Sequence, residues 1–334
     1  KKTSKKLNQK ADNVLGKSGK LRNKVRKGVC FVTGHPVDIP TGKVFTDQVD
    51  FTLPGSIPLN WERTWYSTSN YQGPLGSGWH HAYDLALIPH PLDEVIEVRL
   101  GDGRSVVFPR LEPGEKSYHR QDKLTLSREE HGYVLCDENY LYHEFDESRR
   151  SEWPLKRIAK ASGQEVLFQR DEWGALAQII DSAGRQLAVQ TDSHNRITAI
   201  LAPHPDKEGE SFPIIRYAYD EAGDLVETTD ALDRRASYAY EHHLLVRESN
   251  RKGLSFYFEY DGTGTEAKCI RTWGDQGIYD HKLTYAGGIT FVENSLGHTT
   301  AYHHNGALVT KEVDPKGNEK HYQYNEHFET LVEI

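Results

Sequence analysis

The stretch Arg216 to Leu225 constrains the fold most, because it packs a strand end, a tight turn and a strand start into ten residues. Tyr217 and Tyr219 alternate with smaller or polar neighbours, so on a strand both rings share one face. Asp220 suits a turn's first position, where its carboxylate can accept backbone amides two residues on, and Gly223 suits the position that needs positive φ. The unit recurs. Turn-opening positions fall at Asp171, Asp181, Asp192, Asp220, Asp230, Glu241, Asn250, Asp261, Asn294, His303, Asp314 and Asn325, most of them 9 to 11 residues apart. Gly174, Gly184, Gly223, Gly253, Gly264, Gly297, Gly306 and Gly317 follow eight of them by three residues. Aromatic pairs precede alternate turns: Tyr217/Tyr219, Tyr238/Tyr240, Phe258/Tyr260 and Tyr322/Tyr324. Two strands thus make a repeat of about 20 residues, the mark of a β array rather than an ordinary meander.

A second block, residues 34 to 87, carries different punctuation. Gly34-His35-Pro36-Val37-Asp38 leads through Thr41-Gly42 into a strand-like Val44 to Phe51, which Leu53-Pro54-Gly55 breaks. Leu59, Trp61, Arg63 and Trp65 then alternate with Asn60, Glu62, Thr64 and Tyr66, and Gly73-Pro74-Leu75-Gly76-Ser77-Gly78-Trp79 forbids regular structure. This block reads as a β lead-in module that caps the end of the repeat sheet. Between the two, Val95 to Leu100, Gly101-Asp102-Gly103 and Ser105 to Phe108 form a hairpin by alternation and turn chemistry. Ala202 to Phe212 reads as a surface loop, and Trp273 to Asp280 as an irregular turn.

Charge is uneven. Residues 1 to 28 hold 11 Lys or Arg against one Asp, leaving 30 basic against 48 acidic residues in the remainder. No aromatic residue lies in that arm, so the stacking platform of a single-strand nucleic-acid binder is missing and nucleic acid is not an expected partner. The arm is expected to dock electrostatically on the acidic body or on another component. A mean hydropathy of -0.70 and the lack of an 18-residue apolar run argue against a membrane span. Cys30, Cys136 and Cys269 are odd in number and widely spaced, which points to neither a disulfide framework nor zinc, and fits a reducing folding compartment.

No reactive constellation is legible. The pairs His80-His81, His242-His243 and His303-His304 would point to opposite faces of a strand, so no metal site is expected. The recurring Asp residues suit turns better than a glycosidase pair. Ser77 lacks the strand-to-helix setting of a nucleophile elbow. No cofactor and no catalytic residue are expected.

The Tyr-Asp repeats and the preceding block together resemble the Rhs (rearrangement hotspot) family of bacterial polymorphic toxins, whose YD repeats are shared with insecticidal toxin C components and teneurins. The resemblance rests on the repeat-turn residues Tyr219, Asp220, Gly223, Asp230, Tyr260, Asp261, Gly264, Asn294, Gly297, Asp314 and Gly317. It rests equally on the lead-in residues Pro36, Asp38, Gly42, Pro54, Gly55, Arg63, Gly73, Pro74, Gly76, Gly78 and Trp79. It implies an all-β fold in which an antiparallel YD-repeat hairpin sheet forms part of a hollow shell. Residues 1–35 would be a basic, plug-like arm, 36–90 the lead-in module, 91–170 irregular hairpins and 171–334 the YD-repeat sheet, cut short before any shell-closing motif or toxin. The last strand would then present unpaired backbone groups. The implied function is encapsulation and delivery of an enclosed C-terminal toxin, most simply through a type VI secretion apparatus, after folding in the bacterial cytoplasm. The implied partners are the remainder of the same protein with its toxin, and a secretion spike, adaptor or chaperone. The rival reading is an adhesion or carbohydrate-binding module, which would need the paired aromatics to face outward. His35-Pro36, where charge character changes, is either an ordinary turn or a processing junction with Asp38 as one candidate nucleophile.

Overall fold

The structure is a computed structural model and describes residues 37–148 and 151–325, with the backbone of 330–333. The basic arm 1–35, Pro36 and the His35-Pro36 bond lie outside the described residues. Among these residues the fold is all-β apart from one 3-10 turn, Asp275–Gly277. By contact the chain groups into two compact units, residues 48–64 with 80–216, and residues 37–47 with 65–79 and the chain from 217 onward.

In the first unit, consecutive strands from Lys116–His119 to Ile197–Pro203 each pair antiparallel with the next. Alternation explains the buried face: in Gln186–Thr191, Leu187 and Val189 are buried while Gln186, Ala188 and Gln190 are exposed. The hairpin Val95–Arg99 with Ser105–Pro109 forms around Gly103, whose φ is 80°. Its neighbour Ala86–His90 joins the meander through Trp153 opposite Leu87 and Pro154 opposite Ala86. The stretch expected as a loop from Ala202 to Phe212 is shorter than that, because Ala202 and Pro203 pair with Phe212 and Ser211 and leave only 204–210 outside the strands, with the His204 amide still donating to the Glu210 carbonyl at 2.8 Å. Two prolines did not prevent pairing because Pro203 lies at a strand end and Pro213 opposite Leu201 at a register shift.

In the second unit the antiparallel run extends from Leu225–Asp230 to Glu319–Tyr324. Tyr238, Phe258 and Tyr302 are buried on it, as is Tyr217 on the preceding strand Ser211–Tyr219. The turns at Asp230, Asn250, Asn294 and Asp314 close one set of hairpins by a shared device. The Asp230 amide donates to the Arg234 carbonyl at 3.1 Å and the Asp233 amide to the Asp230 carbonyl at 3.0 Å. Its side-chain Oδ1 accepts the amides of Leu232 and Arg234 at 2.9 and 3.0 Å. Asn294 repeats this with Leu296 and His298, and Asp314 with Lys316 and Asn318. One oxygen therefore satisfies two amides that the turn withdraws from the ladder, which Asn and Asp can both do.

The other set of turns varies. After Tyr219, Asp220 makes the same turn, its Oδ1 accepting the Asp224 amide at 2.9 Å and Gly223 standing at φ 88°. After Tyr240 the connection is two residues, His242 and His243, both at positive φ. Asp261 and Gly264 depart from the expected turn. Asp261 ends its strand opposite Lys268, and the chain needs residues 262–267 to return, with Gly262 and Gly264 at φ 95° and 73°. At His303 the turn opens two residues later, at Asn305.

Candidate functional site

The chemistry-bearing residues of the lead-in gather where its chain lies against the repeat strands, and each compact unit has its own set of contacts. In the second unit, Asp38 opens a turn whose Gly42 amide returns to the Asp38 carbonyl at 2.7 Å, while the Thr41 hydroxyl donates to the carboxyl. Burial pushes the Asp38 carboxyl up to about 6. Gly42 stands at φ 73°, and a Cβ there would lie 2.6 Å from the Tyr285 hydroxyl. The Gly42 carbonyl accepts the Cys269 amide at 2.7 Å, and Lys43 Nζ donates to the Thr265 carbonyl at 2.5 Å.

The Gly73 to Trp79 loop also lies against the repeat strands of the second unit. Gly73 pairs with Gly76, and the Tyr219 hydroxyl donates to the Pro74 carbonyl at 3.5 Å. A Cβ on Gly76 would meet the Gly223 carbonyl at 2.4 Å, and one on Gly78 the Trp65 Nε1 at 2.6 Å. The Ser77 amide donates to that same Gly223 carbonyl at 3.1 Å. Trp79, fully buried, donates its indole N–H to the Tyr240 hydroxyl at 2.8 Å and sets its ring edge-on to Tyr238 at 5.3 Å. Glycines at 76 and 78 thus permit the backbone approach that Trp79 anchors.

In the first unit, Arg63 and Asp50 form a buried bidentate pair, with Nε to Oδ2 at 2.5 Å and Nη2 to Oδ1 at 3.0 Å. A Cβ on Gly55 would lie 2.5 Å from the Ser182 hydroxyl, which donates to the Ile57 carbonyl and accepts the Ile57 amide, both at 2.9 Å. The Pro54 carbonyl accepts from Arg185. Trp61 stacks on His81 at 4.5 Å, and Tyr83 packs on Phe168 at 5.0 Å. Burial, with Arg170 and Arg99 nearby, pushes His81 down to about 3, so the ring is neutral and its Nδ1 accepts the Tyr83 amide at 3.3 Å.

These contacts depart from the expectation of a module that caps the end of the repeat sheet. In the second unit the lead-in touches the 220–224 turn, Tyr238, Tyr240, Cys269, Tyr285 and Thr290, so it lies along a face and is held mainly by side chains and glycine approaches. Asp50, Ser182, His81 and Cys269 escaped sequence reasoning because their partners lie between 13 and 227 residues away. His243 and Asp224 were also missed: the His243 Nδ1 lies 2.9 Å from the buried Asp224 carboxyl, which burial raises.

The repeat aromatics have two jobs. Tyr217, Tyr238 and Phe258 fill the core, whereas Tyr219, Tyr260 and Tyr324 donate hydrogen bonds through their hydroxyls and Tyr240 accepts one from Trp79. Register shifts fall between Ala239 and Tyr240, Glu259 and Tyr260, and His303 and His304, opposite Leu245, Cys269 and Val309. Each of those three opposing residues offers its carbonyl to a tyrosine of the following hairpin: Tyr260 to Leu245 at 2.9 Å, Tyr285 to Cys269 at 2.5 Å and Tyr324 to Val309 at 2.7 Å. Burial raises all three phenols, which keeps them protonated donors.

Against known families, a model described as a domain of unknown function (DUF6531) matches residues 34–108, and one described as the Teneurin YD-shell matches residues 156–294. The chain carries a YD-shell stretch and is similar to Rhs toxins. Double-stranded DNA deaminase toxin A of Burkholderia cenocepacia is 26% identical to this chain over 286 residues, covering 82% of it and 20% of the relative. The probable deoxyribonuclease RhsB of Dickeya dadantii is also 26% identical, covering 90% and 21%, and toxin protein Tse5 of Pseudomonas aeruginosa is 24% identical, covering 81% and 24%. The chain thus spans between a fifth and a quarter of the length of these relatives. The crystal structure of TcdB2-TccC3 aligns over 94% of the chain and 21% of its own, at 9% identity and a TM-score of 0.37.

Proposed function

We propose that this chain is a forward portion of the encapsulating shell of a secreted bacterial Rhs toxin, and that the shell encloses a C-terminal toxin until delivery through a type VI secretion apparatus. The observation that carries this reading is the lead-in seated on the aromatic face of the second unit through Gly42, Gly76 and Trp79. A face already covered by the chain itself serves a wall rather than a recognition surface. The relatives' names, which describe a deaminase toxin, a deoxyribonuclease and a toxin, support an enclosed toxic activity elsewhere in the protein. The carbohydrate-binding reading finds little support in the aromatics. Tyr217, Tyr238 and Phe258 are buried, and the face of Trp273 is engaged by Tyr257 stacked at 5.4 Å and by the Arg271 guanidinium at 4.5 Å.

The shell reading extends to partners. The remainder of the protein and its toxin would meet the inner wall, and a spike, adaptor or chaperone would engage the outside, after folding in the bacterial cytoplasm. The basic arm would be a plug separated at His35-Pro36. Intact-mass measurement of the protein made from the longer gene tests that separation, and a single uncut species removes it. Encapsulation is tested by limited proteolysis of the same full-length protein, alone and as Trp79→Ala. The toxin segment should resist protease in the first and become sensitive in the second. Equal sensitivity in both, with the fold intact by circular dichroism, overturns the reading.

A further inference from the structure

The hairpin turn between Thr299–His304 and Val309–Val313 contains Asn305-Gly306, the only Asn-Gly step in the sequence. Both residues are exposed to water. The Gly306 amide donates to His304 Nδ1 at 3.2 Å. The other ring nitrogen, Nε2, lies 3.3 Å from the Thr290 hydroxyl, which donates its own proton to the Ile39 carbonyl at 2.8 Å. Thr290 Oγ is therefore the acceptor toward the ring, which places the imidazole proton on Nε2 and leaves the Nδ1 lone pair facing the Gly306 N–H. The Asn305 side-chain oxygen, in turn, accepts the amides of Ala307 and Leu308 at 3.1 and 2.9 Å. Two backbone donors aimed at one amide oxygen have the layout of an oxyanion hole.

We propose that this turn is a self-modification site, at which Asn305 cyclises onto the Gly306 nitrogen with His304 as the base and deamidates to aspartate and isoaspartate. His304 Nδ1 takes the Gly306 amide proton as the nitrogen bonds to Asn305 Cγ. The Oδ1 that becomes negative is held by the Ala307 and Leu308 amides. The imidazolium returns its proton to the departing amino group, the Cγ–Nδ2 bond breaks, and ammonia leaves. Water then opens the succinimide at either carbonyl, so that the net change is water consumed and ammonia released. Burial, with Lys268 and His303 beside the ring, lowers the His304 pKa and keeps the base unprotonated at neutral pH. Glycine at 306, with φ 91° and no side chain, removes the bulk that would hinder ring closure.

The test is peptide mapping of the protein incubated at neutral pH, where conversion at Asn305 appears as a gain of about 1 Da and a new negative charge. The folded protein should convert faster than the same chain in denaturant. Both His304→Ala and His304→Gln should slow it by about a hundredfold, the lower end of the range for a positioned base. His304→Gln keeps a hydrogen-bond acceptor but no base, and so separates catalysis from turn geometry if His304→Ala fails to fold. The folded rate should level off once His304 is neutral, whereas the denatured rate keeps rising with hydroxide. Conversion no faster in the folded than in the denatured chain, or wild-type rates in a folded His304→Gln protein, overturns the assignment.

Discussion

Tyr260, Tyr285 and Tyr324 show how a single oxygen shapes a sheet. A register shift at Tyr240, Tyr260 and His304 changes the ladder opposite, at Leu245, Cys269 and Val309, and a phenol from the next hairpin takes each carbonyl. Phenylalanine would fill the same space and leave the carbonyl without that donor. Tyr260→Phe and Tyr324→Phe should each cost about 1 to 2 kcal/mol in urea unfolding, whereas a neutral result at both would mean that only ring burial matters. His81 gives a second prediction at this scale. Its pKa falls from the ordinary 6.5 to about 3 on folding, so between those values the unfolded chain binds the extra proton. The contribution of His81 is complete above pH 6.5 and is lost progressively as the pH falls toward 3. Between pH 7 and 5 the chain should lose about 2 kcal/mol from this group. His81→Gln, which retains an acceptor for the Tyr83 amide, should flatten that part of the curve; an unchanged slope would assign the acid sensitivity elsewhere.

At the scale of the element, the hairpin turns explain why Asp and Asn interchange at 230, 250, 294 and 314. Oδ1 accepts the two amides in every case, and only the second carboxylate oxygen differs, taking Arg234 at Asp230 and Asn318 at Asp314. Asp230 is itself buried, but the Arg234 guanidinium that meets it is largely exposed, and a pair wetted on one side adds little beside the oxygen-to-amide bonds that organise the turn. Asp230→Asn should therefore be nearly neutral and Asp230→Ala should cost about 1 kcal/mol, measured by thermal unfolding. A loss of similar size in both would transfer the role to the Arg234 pair. The variable set of turns follows different physics. The two-residue His242-His243 connection and the six-residue return after Asp261 close hairpins of the same sheet, so strand pairing tolerates loop lengths that the repeat spacing did not announce.

For the whole molecule, the lead-in and the repeats are mutually dependent within each unit. Trp79 is buried against Tyr238 and Tyr240, and it sits there only because Gly76 and Gly78 bring the backbone within reach of Gly223 and Trp65. Removing the indole leaves a large cavity and the Tyr240 hydroxyl without its donor. Trp79→Ala should cost about 3 to 5 kcal/mol and raise amide exchange at Tyr238 and Tyr240 ahead of global unfolding. Uniform exchange along the chain would show instead that the lead-in contributes no local hold. The pair Arg63 and Asp50 acts comparably in the first unit, where breaking one partner strands a buried charge.

The sequence by itself determined the all-β fold and the antiparallel hairpins, because these follow from a period of two in side-chain direction and from turn residues whose chemistry acts over four or five positions. Asp220, Asp230, Asn294 and Asp314 announced their turns for that reason. Asp261 and Gly264 matched the same local pattern and closed a longer connection, since the register shift at Tyr260 and the pairing of Asp261 with Lys268 depend on the neighbouring strand. Only the tertiary structure decided which way the tyrosines face, that the lead-in lies along the repeats within each unit, and that Arg63 meets Asp50 or His304 meets Asn305-Gly306 and Thr290. Those contacts join residues by hydrogen bonds of fixed direction and by close packing, and neither leaves a periodic trace along the chain.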